Sequence, residues 1–99
     1  MTVLEQRRRT ERKSQWKTLY NLSPEQYAEI KLRQRGVCPG CGKSLDDPDV
    51  RPTVDHVHDN TKRVRGITCN HCNLAIGHAY ENPEVLRALA FYLEVMGHV

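Results

Sequence analysis

The chain has 99 residues and a formal net charge of +3, with hydrophobic residues at 38% and charged residues at 27%. That length points to one domain with a small core, for which a bound metal is a common supplement. The composition suits a globular chain rather than a disordered one, and no apolar run nears the roughly 20 residues of a bilayer span. The stretch Met1 to Arg9 lacks the apolar core of a secretory signal, so a cytosolic protein with no membrane partner is expected.

The charge is uneven. Residues 1–35 carry nine Lys or Arg and four Glu, a net of +5, which leaves −2 for the remainder. Four thiolates on one Zn²⁺ would add about −2 more, because bound cysteines are deprotonated. A basic arm beside an acidic, cysteine-rich half fits a phosphate-backbone partner, and it equally fits a solvated basic helix.

Residues 4–20 are polar and rich in helix formers, and 1–21 reads as a basic N-terminal arm or helix ahead of a zinc-bound domain at 22–99. Trp16, Leu19 and Tyr20 share a face at i, i+3, i+4 and are expected to dock the arm on the core; stacking on bases is their alternative use. Ser23-Pro24-Glu25-Gln26 then reads as a helix start, with Ser23 as N-cap, Pro24 at the first position and Gln26 closing a capping box. This helix runs to about Arg35 and is stopped by Gly36, with Tyr27 and Ile30 on one face. Lys31, Arg33 and Arg35 suit its dipole without any nucleic acid.

Val37-Cys38-Pro39-Gly40-Cys41-Gly42-Lys43 reads as a metal-binding knuckle in which Pro39 and Gly40 let the chain curl and Gly42 permits a positive φ. Asp46-Asp47-Pro48-Asp49 lacks a calcium-loop pattern and reads as a solvent turn. A short strand over Thr53–Val57, a turn at Asp59-Asn60-Thr61 and a returning strand over Arg63–Thr68 follow. Cys69 to Cys72 forms a second knuckle. Asn73-Leu74-Ala75-Ile76 begins or continues a short helix closed by Gly77. Asn82-Pro83-Glu84 caps a last helix that places Leu86, Leu89, Ala90 and Leu93 on one face, flanked by Val85, Tyr92 and Met96, to cover the core or meet a partner.

Two sites emerge. Cys38, Cys41, Cys69 and Cys72 form two C-x-x-C pairs, the pattern of a closed, structural four-cysteine zinc site; in a cytosolic chain metal is favoured over two disulfides. His71 could replace one cysteine, but an outward or phosphate-facing position suits it better. Asp55, His56 and Asn73 differ in kind. Asp and Asn oxygens are hard ligands suited to Mg²⁺ or Mn²⁺, and a neutral imidazole is a fitting general base for water. Strand alternation would send Asp55 and His56 to opposite faces, so the cation would sit at the strand–helix edge with the imidazole facing substrate. The alternative is that Asp55 merely orients a packed His56.

Leu-Ser-Pro-Glu-Gln-Tyr at 22–27, Val-Cys-Pro-Gly-Cys-Gly-Lys at 37–43 and Val-Asp-His-Val-His-Asp at 54–59 carry a resemblance. Lys-Arg-Val-Arg-Gly-Ile-Thr-Cys-Asn-His-Cys-Asn-Leu-Ala-Ile-Gly at 62–77 and Asn-Pro-Glu-Val-Leu at 82–86 complete it. Together they resemble the recombination endonuclease VII branch of the HNH (ββα-metal) nucleases, a family with many bacteriophage members. The resemblance implies an α+β fold, a small zinc-stapled ββα-metal (HNH, His-Me finger) domain with flanking N- and C-terminal helices. It implies a metal-dependent DNA endonuclease that leaves 5′-phosphate and 3′-hydroxyl ends, nicking or structure-selective. Asp55 and Asn73 would hold one Mg²⁺ or Mn²⁺, His56 would activate water, His58 would assist at the phosphate or orient the site, and the four cysteines would bind Zn²⁺. Arg63 and Arg65, with Lys62 and His71, become candidate DNA contacts.

Two positions depart from the family. Where many HNH enzymes carry a middle asparagine, this chain has Val64-Arg65-Gly66, a gap that is normal for the endonuclease VII branch and leaves the orientation of His56 unexplained. The chain stops soon after the helix at 83–96, whereas junction-resolving members assemble a homodimer through further C-terminal helices. The competing expectations are a non-catalytic zinc-knuckle nucleic-acid-binding module and a zinc-stapled protein-interaction domain.

Overall fold

The computed structural model describes Val3, Trp16 and residues 19–97. The reading of residues 4–15 as a basic helix lies outside the described residues. Helix α1 spans Pro24–Arg33 and starts on the expected capping box. The Gln26 N–H donates to Ser23 Oγ at 3.1 Å and the Ser23 N–H donates to Gln26 Oε1 at 2.8 Å. Its end differs from expectation. The left-handed turn begins at Arg35 (φ 58°), one residue before Gly36 (φ 71°). The Arg35 N–H bonds Leu32 O and the Gly36 N–H bonds Lys31 O, so the last-turn carbonyls are satisfied by a Schellman cap whose first left-handed residue is not glycine.

The first knuckle folds back on itself. Val37 and Ser44 form an isolated antiparallel bridge, the Gly42 N–H bonds Cys38 O at 2.9 Å, and Gly42 takes the positive φ of 75° that the sequence anticipates. Gly40 is needed for space: a Cβ there would stand 2.8 Å from Cys72 Sγ. The acidic run is a turn as expected, with the Asp49 N–H on Asp47 Oδ1 and Asp46 paired with Lys31.

Strands β1 (Pro52–His56) and β2 (Val64–Cys69) form an antiparallel pair. Pairing runs in register from Pro52 opposite Cys69 to Asp55 opposite Gly66, then shifts so that His56 faces Val64. Arg65 is thereby left without a partner, which is a β-bulge. The other edge of β2 is completed by a side chain. Gln34 Nε2 donates to Ile67 O at 2.7 Å and to Val37 O at 3.1 Å, while Gln34 Oε1 accepts from the Ile67 N–H at 2.8 Å. One glutamine thus acts as a short strand joining α1, the first knuckle and β2.

Helix α2 (Asn70–His78) starts at once, with Cys69 as its N-cap. It begins three residues before Asn73 and contains Gly77, which does not close it. Closure falls to Tyr80 and Glu81, both left-handed at φ 60° and 54°, whose N–H groups bond Gly77 O and Ile76 O. Helix α3 (Pro83–Met96) starts on the expected Asn82 cap.

The core cluster is Cys38, Leu45, Ile67 and Cys69, with Tyr27, Ile30, Val50 and Cys72 packed on it. Trp16 docks as expected, stacked on Tyr27 at 3.8 Å between ring centroids. Leu19 stays half exposed. The apolar residues of α3 are exposed, Phe91 at 67% and Leu93 at 63%, so among the described residues this helix does not cover the core. The architecture is a small α+β arrangement, a two-stranded sheet with helices around it. No helix among the described residues is long and apolar enough to cross a membrane.

Candidate functional site

The register of the hairpin brings the two knuckles together. Cys69 ends β2 and lies beside Cys38. One ligand atom from each of Cys38, Cys41, Cys69 and Cys72 falls in a set whose members all lie within 4.8 Å of one another. Cys41 and Cys69 sulfurs are 3.7 Å apart, well beyond an S–S bond of about 2.05 Å, and all four cysteines are free. Burial alone would raise the Cys38 pKa. Hydrogen bonds from the backbone N–H groups of Cys69, Cys41 and Gly40 outweigh it and bring the thiol down to about 6. Cys72 moves the other way, to about 12, through burial and the sulfurs around it. Four thiols this close cannot all ionise without a positive centre, and a Zn²⁺ held by the four sulfurs would supply that charge. The donor set fits a structural zinc with no position left open.

The opposite end of the hairpin holds the second constellation. Asp55 is buried at 7% exposure on β1. Arg65, pushed out of register by the bulge, forks onto it: Nε donates to Oδ2 at 3.0 Å and Nη2 to Oδ1 at 2.9 Å. The same Nη2 donates to Glu81 Oε1 at 2.5 Å. Hydrogen bonds to Asp55 and then to Glu81 raise the Arg65 pKa still further above its ordinary value. Arg65, expected at a phosphate, therefore uses its guanidinium on two carboxylates.

His56 is half-buried and meets two rings. His58, in the bend just past the end of β1, stacks on it at 4.7 Å and 7°, and Tyr20 lies tilted at 4.9 Å. Tyr20 and His58 are the two rings that neighbour His56 among the described residues. His58 Nε2 stands 3.8 Å from Glu81 Oε1. Asn73 occupies the first turn of α2, which packs against both strands, and is half-buried. Lys62, Arg63 and His71 are exposed. Asp59 organises the loop before them: hydrogen bonds from the Thr61 hydroxyl and N–H hold its carboxyl below the ordinary value.

The order from sequence to space is now strand, bulged strand and helix, with an Asp-His pair on the first and an asparagine at the start of the last. The profile of recombination endonuclease VII matches residues 13–95. The chain belongs to the recombination endonuclease VII family. Membership makes it a nuclease acting on DNA, and its cysteine cluster is positioned to bind zinc. No curated protein and no solved structure matches the chain. In this endonuclease VII family member, sequence reasoning missed Glu81 and Gln34. Neither lies in a motif. Both act through partners far along the chain, Arg65 for Glu81 and Ile67 for Gln34.

Proposed function

We propose that this protein is a divalent-metal-dependent DNA endonuclease of the HNH, or ββα-metal, type, with residues 22–99 as the catalytic domain and 1–21 as a basic arm on the DNA. The observation that supports the reading is a buried Asp55 beside a half-buried His56 on β1, with the helix that carries Asn73 packed on both strands. Asp55 and Asn73 would hold Mg²⁺ or Mn²⁺. The donor chemistry fits, since both offer hard oxygens and Asp55 already sits against a positive group. When bound, the ion supplies Lewis-acid polarisation of a phosphate oxygen and neutralises charge on the leaving 3′ oxygen.

The chain's own groups do the rest. His56 in its neutral form accepts a proton from a water lined up behind the phosphorus. The water oxygen bonds to phosphorus, the P–O3′ bond breaks, and the products carry 5′-phosphate and 3′-hydroxyl ends. Tyr20 and His58 pack against the His56 ring and would restrict it, with His58 just beyond the end of β1. Lys62, Arg63 and His71 are exposed and suited to phosphate contacts that position the duplex.

The test is cleavage of supercoiled plasmid by the zinc-loaded protein with Mg²⁺ or Mn²⁺. His56→Ala should lower the rate by about 10²–10⁴-fold, the usual worth of a general base, while zinc stays bound. Equal cleavage by the variant would sink the assignment. Salt-sensitive binding with no cleavage under either ion would make the protein a zinc-knuckle binding module instead.

A further inference from the structure

Asp55 and Glu81 share one cationic nitrogen, Arg65 Nη2. Each Asp55 oxygen accepts an N–H from Arg65, so both oxygens of the carboxylate proposed to hold a divalent ion already have a cationic partner. The side chains grade outward in exposure: Asp55 at 9%, Glu81 at 25% and Arg65 at 35%. The guanidinium therefore bridges a buried carboxylate and a more open one.

Each part of this bridge is set by backbone. The bulge frees Arg65 from strand pairing, opposite the Asp55–His56 step. The chain after α2 turns left-handed at Tyr80 and Glu81, which is uncommon for residues other than glycine. That turn delivers the Glu81 carboxylate to Arg65.

A divalent cation and a guanidinium cannot occupy the two oxygens of Asp55 together, because like charges a few ångströms apart repel strongly in a part-buried site. Entry of the ion must move Arg65. Glu81 is already in contact with the departing nitrogen and offers it a negative partner. We propose that Arg65 guards Asp55 and is handed to Glu81 when a divalent cation takes Asp55, so that Glu81 sets cation affinity without being a ligand. Glu81 and Arg65 are then positioning residues acting through Asp55. The proposal rests on the reading of Asp55 as a cation ligand.

The experiment measures Mn²⁺ affinity of the zinc-loaded full chain by the electron paramagnetic resonance signal of free Mn²⁺, with no DNA present. Glu81→Gln should weaken binding about tenfold, in the range typical of groups that orient metal ligands. Arg65→Gln should tighten it, and adding Glu81→Gln to Arg65→Gln should change nothing further. Weakening by the same factor in both backgrounds would mean that Glu81 acts as a ligand or a distant charge, and would overturn the exchange. So would an unchanged affinity in either single variant. Asp55→Asn separates the two levels: retained Mn²⁺ binding there removes the cation site itself, whereas lost binding leaves the exchange to be judged on the other variants. Should Arg65→Gln fail to fold, the unmodified chain decides. The Arg65 Nε–H resonance should move on titration with Mg²⁺, and a stationary resonance overturns the proposal.

Discussion

At the Pro52–Cys69 end of the hairpin the strands pair in register and run into four sulfurs; at the His56–Val64 end the register slips around Arg65, and the groups are carboxylate, imidazole and guanidinium. The first end is closed. Cys38, Cys69 and Ile67 are buried, and a methyl on Gly40 would collide with Cys72 Sγ. The second end keeps its polar groups part-open, with Asp55 buried and His58 and Arg65 exposed. Five residues of strand thus connect the sulfur cluster with the site at which we propose that Arg65 exchanges partners. The bulge separates them: regular pairing transmits rigidity up to Asp55, and the slip beyond it lets a long side chain leave the ladder.

The largest predicted effect breaks that connection. Structural zinc is worth about 10–16 kcal/mol in zinc-finger peptides, comparable to or above the whole stability of a small domain. Chelating the zinc, or changing Cys38 to Ser, should therefore abolish cleavage and collapse the helical circular dichroism together, even with Mg²⁺ in excess. Cleavage by a zinc-free chain would show that the two ends are independent.

The contrast between the ends also separates what the sequence shows from what it hides. Ser23-Pro24-Glu25-Gln26 and Asn82-Pro83-Glu84 are local devices whose partners lie within a few residues, and each C-x-x-C pair is a local pattern that announces a metal even though its partner pair is distant. The strand boundaries fell within one or two residues for the same reason. The bulge is not local. Whether Arg65 or its neighbour leaves the ladder depends on Asp55 across the sheet and on Glu81 at a helix end. Gln34 lies in no motif, and its sheet-like bonds to Ile67 depend on a partner far along the chain. Helix α3 shows the converse. Its amphipathic pattern is plain, yet pattern does not say what a face meets, and the described residues leave it exposed.

A smaller effect sharpens the comparison from its middle. Gln34 bonds both backbone groups of fully buried Ile67, which lies between the two ends. Gln34→Ala leaves a buried N–H and C=O without that partner, at a cost of about 1–3 kcal/mol. Thermal unfolding should drop by roughly 4–8 °C for each kcal/mol in a domain of this size. Zinc content should stay unchanged, and cleavage well below the midpoint should persist. A loss of zinc or of cation binding before unfolding would mean that Gln34 holds one end specifically rather than the sheet as a whole.

The smallest expected change concerns α2, the rod that carries Cys72 and Asn73 at one end and leads to Glu81 at the other. Gly77 lies inside this helix, its φ is not positive, and a Cβ there would meet nothing within 4 Å. A helix-interior glycine costs roughly 0.5–1 kcal/mol relative to alanine through the freedom it loses on folding. Gly77→Ala should therefore stabilise the protein by about that amount, read as a higher midpoint in thermal or denaturant unfolding. Stiffening the rod leaves the positions of Asn73 and Glu81 alone, so Mn²⁺ affinity should match the unmodified chain. If stability rises while Mn²⁺ affinity falls, α2 must bend near Gly77 for Glu81 to receive Arg65, and the second end would draw its freedom from the helix as well as from the bulge.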